Sequence, residues 1–437
     1  MERSEYVAVE RKESTAKTEV VAGVTTFLTM AYIIFVNPAI LSEAGMDKQA
    51  LVIVTCIASA VTTAIMGLIG KVPIAMAPGM GLNAFLSYSL VKAGQITWQT
   101  ALGVVFLSGL LGVVLTLVGL RKRLVEAIPV SLITAISVGI GLFITFIGLV
   151  NMGVIVKNEA TLVSAGPITG EVAIGLAGLL MMAFLEIRRV KGSLLIGIVF
   201  STLLALAVGY VEKPASLVSF SFDIRPVALQ LDLLGALKWS LFGSIFTLMF
   251  MDMFDGIGTL VACCHEAGMV DEQGRIKGLG RLLVLDASAS MIGAVLGTSS
   301  VTAYIESAAG IQQGGRTGRT ALVTALCFAL ALVFVPVVGI VPEYATAPAL
   351  VMVGLFMIRE IKRINFENME EALPAFIILV MIALSYSIST GLAFGFISFV
   401  LIKLVAGKVK DVKPTMWVIA LLSLAFVTMD HLRAIFQ

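Results

Sequence analysis

Two stretches, PIAMAPGMGLNAFLSY (residues 73–88) and GTSSVTAYIESAAGI (residues 297–311), decide how this chain folds. Each lies among long apolar runs and breaks their pattern. In the first, Pro73, Pro78, Gly79 and Gly81 crowd the leading half before a helix-forming run begins. In the second, small and β-tending residues precede a turn to helical character near Ile305. Proline and glycine at such density disfavour a continuous helix. An extended backbone within a bilayer leaves peptide groups unpaired, so it must be enclosed by protein or line a cavity. Short, interrupted segments at corresponding places in two halves of a chain point to the binding site of a transporter.

Composition supplies the solvent. Of the 437 residues, 59% are hydrophobic and only 13% charged, and the mean hydropathy is +1.03. Soluble domains carry about a quarter charged residues, so the chain belongs in a lipid bilayer. A spanning helix needs about 20 predominantly apolar residues. Runs near 20–41, 50–70, 74–92, 98–120, 128–150, 171–187 and 193–210 form a first set of seven. Runs near 236–264, 281–297, 298–313, 320–341, 346–359, 372–388 and 390–406 form a second. The two broken stretches are the third member of each set, segments three and ten. An odd number per set inverts the second half relative to the first. The expected fold is an all-α polytopic membrane protein of fourteen segments in 7+7 inverted repeats, with segments three and ten each an extended piece plus a half-helix. A fifteenth apolar run, PTMWVIALLSLAFVTM (414–429), either spans or lies against the bundle.

Charge placement sets an orientation. With a cytoplasmic N-terminus, the clusters RKR (121–123), RRVK (188–191), RIKGLGR (275–281), GGRTGR (314–319) and REIKR (359–363) all fall on the cytoplasmic side, as the positive-inside rule requires. The polar start, residues 1–19, has no signal-peptide architecture and reads as a cytoplasmic tail. Cys56, Cys263, Cys264 and Cys327 sit inside apolar runs without metal-ligand spacing, and His265 and His431 leave no histidine-based metal site. The cysteines read as small buried residues.

The candidate site residues are the acids this greasy chain retains. In MDMFDGIGTLVACC (251–264), Asp252 and Asp255 lie three apart and share a helix face that Thr259 extends. Glu306 stands at the expected start of the half-helix in segment ten, and Asn83 at the matching start in segment three. An ionisable group inside a membrane is costly, so function is the first explanation for Asp255 and Glu306. Alternatives stand beside each. Asp252 is the rival ligand-facing acid, with Asp255 supporting it. Asn83 serves equally well as a helix N-cap. Asp286, in LLVLDASASM, reads as a polar contact between helices, and Glu186 as an interfacial partner of Arg188 and Arg189.

Function classes narrow accordingly. An intramembrane aspartyl protease needs paired acids sharing a proton; FDGIG only echoes such a motif, and no second GxGD exists. A channel needs a repeated filter or an acidic ring, and neither is present. An inorganic-anion transporter would avoid two carboxylates in its site. No GxxxxGK[ST] loop for nucleotide occurs, so the expected energy source is an ion gradient, with no cofactor and no nucleic-acid partner. Buried carboxylates suit a proton as the coupled ion.

Four motifs in order, TEVVAGVTTFLTMAYIIFVNPAILSEAG (18–45), APGMGLNAF (77–85), DMFDGIGTL (252–260) and GTSSVTAYIESAAGI (297–311), resemble those of the AzgA-like purine permeases, a branch of the nucleobase–ascorbate transporter superfamily. The resemblance covers essentially the whole chain. It implies a core domain (segments 1–4 and 8–11; residues 20–120 and 235–341) and a gate domain (segments 5–7 and 12–14; residues 121–234 and 342–413), with 414–437 as an added apolar end. It implies proton symport of purine bases by elevator-type alternating access in the inner or plasma membrane, as a homodimer through the gate domains. Carried over by residue, it implies Asp255 with Gly258 and Thr259 in segment eight, Glu306 in segment ten with backbone groups of Tyr304 and Ile305, Asn83 in segment three, and a segment-one contact at Thr25 or Thr26. Asp255 and Glu306 are the implied proton-coupling acids. After Glu306 the run is ESAAG, which departs from the wider superfamily's pattern of Asn and Gly at that point.

Overall fold

The computed structural model describes residues 14–119, 128–214, 216–270, 276 and 278–436. The basic cluster 121–123, Arg275 and Lys277 of the cluster 275–281, and the first thirteen residues of the tail lie outside them. Among the described residues, ten helices are long and apolar enough to cross a membrane. They include segment two (Lys48–Gly70), segment five (Val130–Asn151), segment eight (Trp239–Glu266) and segment fourteen (Ile388–Val405). Segment one begins at Ala16, inside the expected tail, because Thr15 caps that end by accepting from Thr18 N–H. The loop expected at 151–170 holds a small antiparallel hairpin, Ile155–Asn158 with Leu162–Ala165. The fifteenth run is a helix, Pro414–Phe436, packed against segment fourteen.

The two broken segments meet. Strand Met76–Pro78 of segment three pairs antiparallel with strand Val301–Ala303 of segment ten, Ala77 opposite Thr302. Helix Met80–Ala84 follows the first strand and continues as a wider π-helical turn, Phe85–Ala93. Helix Ser307–Gln312 follows the second. Two strands alone leave two outer edges of unpaired peptide groups, and in a bilayer those must be satisfied by protein. Segments two and nine do this with side chains. Thr63 Oγ1 accepts from Met76 N–H at 2.9 Å and donates to the Met76 carbonyl at 3.0 Å. On the far edge, Asp286 Oδ1 accepts from Ala303 N–H at 3.1 Å, and Ser290 Oγ donates to the Val301 carbonyl at 3.2 Å. Asp286 and Ser290 are four residues apart on helix Leu279–Leu296, hence on one face.

Around this crossing the helices sort into two packed groups. Segment eleven (Gly318–Ala331) packs on segments one and two, and segment four (Trp98–Leu117) on segments eight and nine. The other group is built on segment five, which packs against segment twelve (Glu343–Ile358) and segment thirteen (Met369–Ser385). Segment twelve also holds segments six (Gly170–Ile187) and seven (Ser193–Val208). The first group gathers segments of the expected core and the second segments of the expected gate.

Candidate functional site

Segment eight runs as one helix from Phe242 to Glu266, beside the strand of segment ten. Its two aspartates part company. Three residues rotate a side chain to within about 60° of its predecessor, which is enough to send the two acids to different neighbours. Asp252 is buried and accepts from Ser290 Oγ at 2.8 Å, so it faces segment nine. Asp255 is exposed. One turn on, Gly258 borders the same open side, where an added Cβ would meet nothing within 4 Å. Thr259 continues the face but is buried. Behind Asp255, the neighbouring Gly256 lets Asp286 come against the helix; a Cβ there would overlap the Asp286 carboxylate. Asp286 is fully buried and serves the strand edge and the helix contact together.

Glu306 is half-buried at the N-terminal end of helix Ser307–Gln312. Its Oε1 accepts the hydroxyl of Tyr32, in segment one, at 2.5 Å. Asp255, Glu306, Tyr32 and Tyr304 lie within electrostatic range of one another, so the open aspartate and the glutamate belong to one cluster. Ile305, between Tyr304 and Glu306 in the chain, is exposed. Tyr304 is buried and committed to the crossing: its N–H donates to the Ala75 carbonyl at 3.0 Å and its hydroxyl to the Pro78 carbonyl at 2.6 Å. Its N–H is therefore engaged by segment three, and of the two neighbours of the acid only Ile305 is open.

Asn83 is not where the sequence spacing puts it. The half-helix begins at Met80, and Asn83 N–H already donates to the Gly79 carbonyl at 2.8 Å, so Asn83 is neither the N-cap nor the first residue of the helix. Its side chain is fully buried. Nδ2 donates to Asn37 Oδ1 at 2.6 Å, Oδ1 accepts from Ser299, and Asn37 in turn donates to Thr55 at 2.6 Å and Thr298 at 3.1 Å. One buried polar network thus ties segments one, two, three and ten. Thr26 is likewise turned away, buried against Gly310 of the segment-ten half-helix, while Thr25 is half-buried.

Sequence reasoning passed over Tyr32 and Asn37, both inside AYIIFVNP (31–38). The signal was available: a tyrosine hydroxyl and an amide buried in an apolar segment each need a partner. Among the described residues, no group of three His, Cys, Asp or Glu side chains is placed to hold a metal ion.

Comparison with known proteins agrees with this architecture. The Permease family (Xan_ur_permease) matches residues 17–394. Adenine permease AdeP of Escherichia coli is 43% identical over 94% of this chain and 92% of its own length. Guanine/hypoxanthine permease PbuG of Bacillus subtilis is 39% identical over 92% of this chain and 94% of its own. Among solved structures, the transmembrane domain of the cyanobacterial bicarbonate transporter BicA superposes with a TM-score of 0.63 at 17% identity, covering 85% of this chain and 96% of that domain. At that identity the likeness speaks for the fold: seven plus seven inverted segments in a core and a gate. With the family matched over most of its length and close relatives along nearly all of it, the chain belongs to the Permease family and is a membrane transporter, not an enzyme.

Proposed function

We propose that the protein takes up purine nucleobases (adenine, guanine or hypoxanthine) in symport with protons, by an elevator-type movement of the core against the gate. The observation that carries this reading is the cluster of the open Asp255 with Glu306 at the crossing of the two broken segments. A purine presents N–H donors on its edges and flat apolar faces. Two carboxylates accept from those edges, whereas they repel an inorganic anion. The relatives named adenine permease and guanine/hypoxanthine permease support the same substrate class. Glu306 is the acid that pairs the base, and Asp255 the one that carries the proton. Exposed Ile305 offers an apolar surface to a ring face. The reading includes a cytoplasmic N-terminus in the inner membrane, a homodimer through the gate domains, and a proton gradient in place of any cofactor.

The test is uptake of labelled adenine, guanine and hypoxanthine into proteoliposomes under an imposed pH gradient, alkaline inside. Accumulation that a protonophore collapses and that sulfate leaves untouched is the expected result. Purine uptake indifferent to the pH gradient would remove the proton from the scheme. Sulfate uptake, with purines inert, would transfer the protein to the anion transporters.

A further inference from the structure

Segment one is interrupted too, by a short turn inside a single span, Ala16–Ser42. Helix Ala16–Met30 ends and helix Ile33–Ser42 begins with only Ala31 and Tyr32 between them. Met30, Ala31 and Tyr32 are all buried, so this interruption lies inside the protein and not at a membrane surface. Tyr32 is 1% exposed. A buried phenol must find an acceptor, and backbone carbonyls are at hand in this region, as the bond from Tyr304 to Pro78 demonstrates. Tyr32 instead spends its hydroxyl on one oxygen of the Glu306 carboxylate, Oε1. It reaches across from the first repeat to the second, 274 residues away in sequence.

Resting on the purine reading of that site, we infer that Tyr32 is a positioning residue for base recognition: its hydroxyl fixes Glu306 Oε1, so that the second oxygen, Oε2, is the one presented to the purine. A glutamate has three side-chain torsions, and ordering such a chain at the moment of binding lowers affinity. A hydrogen bond already in place on one oxygen removes part of that freedom beforehand. Donation from a phenol to a carboxylate is charge-assisted and about twice as strong as a neutral bond. The groups that face Glu306 are Tyr32 from segment one, Asp255 and Cys263 from segment eight and Tyr304 from its own segment, with Asp286 of segment nine behind Asp255. The side chain that donates to the Glu306 carboxylate is Tyr32.

The test is a double-mutant cycle on uptake. Tyr32→Phe keeps the ring and deletes only the donor. With Glu306 intact, the adenine KM is expected to rise about 10-fold, because the torsional freedom of the glutamate must then be frozen at binding, with Vmax within about 2-fold of wild type. In a Glu306→Ala background the same substitution is expected to change KM by less than about 2-fold, because no side-chain acceptor remains for the hydroxyl to fix. Calorimetric adenine binding to the purified variants reads the same coupling without transport. Equal factors in the two backgrounds would make Tyr32 a packing residue and overturn the inference, as would a Tyr32→Phe protein with wild-type KM. Wild-type protein that takes up no purine would sink the proposed function itself, which separates that failure from this one.

Discussion

Segments three and ten solve one problem in the same way and then diverge. Each crosses part of the bilayer as a three-residue strand followed by a half-helix, and each strand has its outer edge closed by side chains from the preceding helix, Thr63 in one half and Asp286 with Ser290 in the other. Beyond the strand, the polar side chain of segment three, Asn83, turns inward and is consumed by Asn37 and Ser299. That of segment ten, Glu306, stays half-exposed and is held by a tyrosine. The aspartates around the crossing, Asp252, Asp255 and Asp286, also belong to the second half. The inverted repeat thus builds the scaffold from both halves and places the ionisable chemistry on one.

The largest effect should come from the acids. Glu306→Ala is expected to weaken adenine binding by on the order of 2–3 kcal/mol, the value of a charge-assisted hydrogen bond left unmade. Asp255→Asn mimics the protonated acid, so it should still bind base and allow exchange while losing accumulation driven by a pH gradient. Calorimetry and gradient-driven uptake on both proteins separate the two roles. If Asp255→Asn accumulates purine like wild type while Glu306→Gln loses only coupling, the assignments exchange places.

The scaffold was legible in the sequence because its causes are local. Pro73, Pro78, Gly79 and Gly81 announce an interrupted helix wherever they occur, and runs of apolar residues announce spans whatever their neighbours. The identity of the open acid was not local. Asp252 and Asp255 share a helix face in sequence, and it is Ser290, 38 residues on, that meets Asp252 on the segment-nine side. Asn83 was misplaced by one turn because the half-helix starts at Met80, a boundary set by strand pairing with segment ten and not by an N-cap residue. Its true partner, Asn37, lies 46 residues away within the motif 18–45, where nothing in the local spacing pairs it with segment three. Long-range hydrogen bonds of this kind leave no periodicity to read.

A smaller but still functional effect is expected at the boundary between core and gate. Gly81 lies in the first turn of the segment-three half-helix, and a Cβ there would stand 2.9 Å from Ile140 Cγ2 of segment five. Gly81→Val should therefore reach the membrane in normal amount and lose transport, since the added bulk wedges the surface along which, under the proposed function, the core moves. Equal surface expression with wild-type uptake would mean that this half-helix and segment five separate easily, and that segment three tolerates what segment ten does not.

Asn83 sharpens the comparison from the other side. Asn83→Ala removes two partners from a buried network, leaving the Asn37 amide and Ser299 to find others. The cost belongs to stability, on the order of 1–3 kcal/mol for a buried polar group left unsatisfied. Thermal unfolding of the purified protein should show a lowered midpoint, with adenine affinity within about 2-fold of wild type in the fraction that stays folded. A drop in affinity as large as that of Glu306→Ala would give segment three a direct share in the ligand.

The smallest effect should come from the strand edge of the first half, where the comparison is cleanest. Thr63 closes that edge with one hydroxyl, which both accepts from and donates to Met76. Thr63→Val keeps the branched shape and removes the hydroxyl, so two backbone groups lose their partner while packing is preserved. If the edge is scaffold alone, the thermal midpoint falls by the equivalent of about 1–2 kcal/mol, and neither adenine affinity nor the pH dependence of uptake moves. Ser290→Ala on the opposite edge removes a comparable bond to Val301 but also takes a donor from Asp252, the buried neighbour of the open acid. That variant should change the pH dependence of uptake as well as stability. Two edges that respond alike, both silent on pH or both sensitive to it, would mean that the chemistry is shared between the repeats. A response confined to Ser290 would locate it in the second half, on the helix faces behind Asp255.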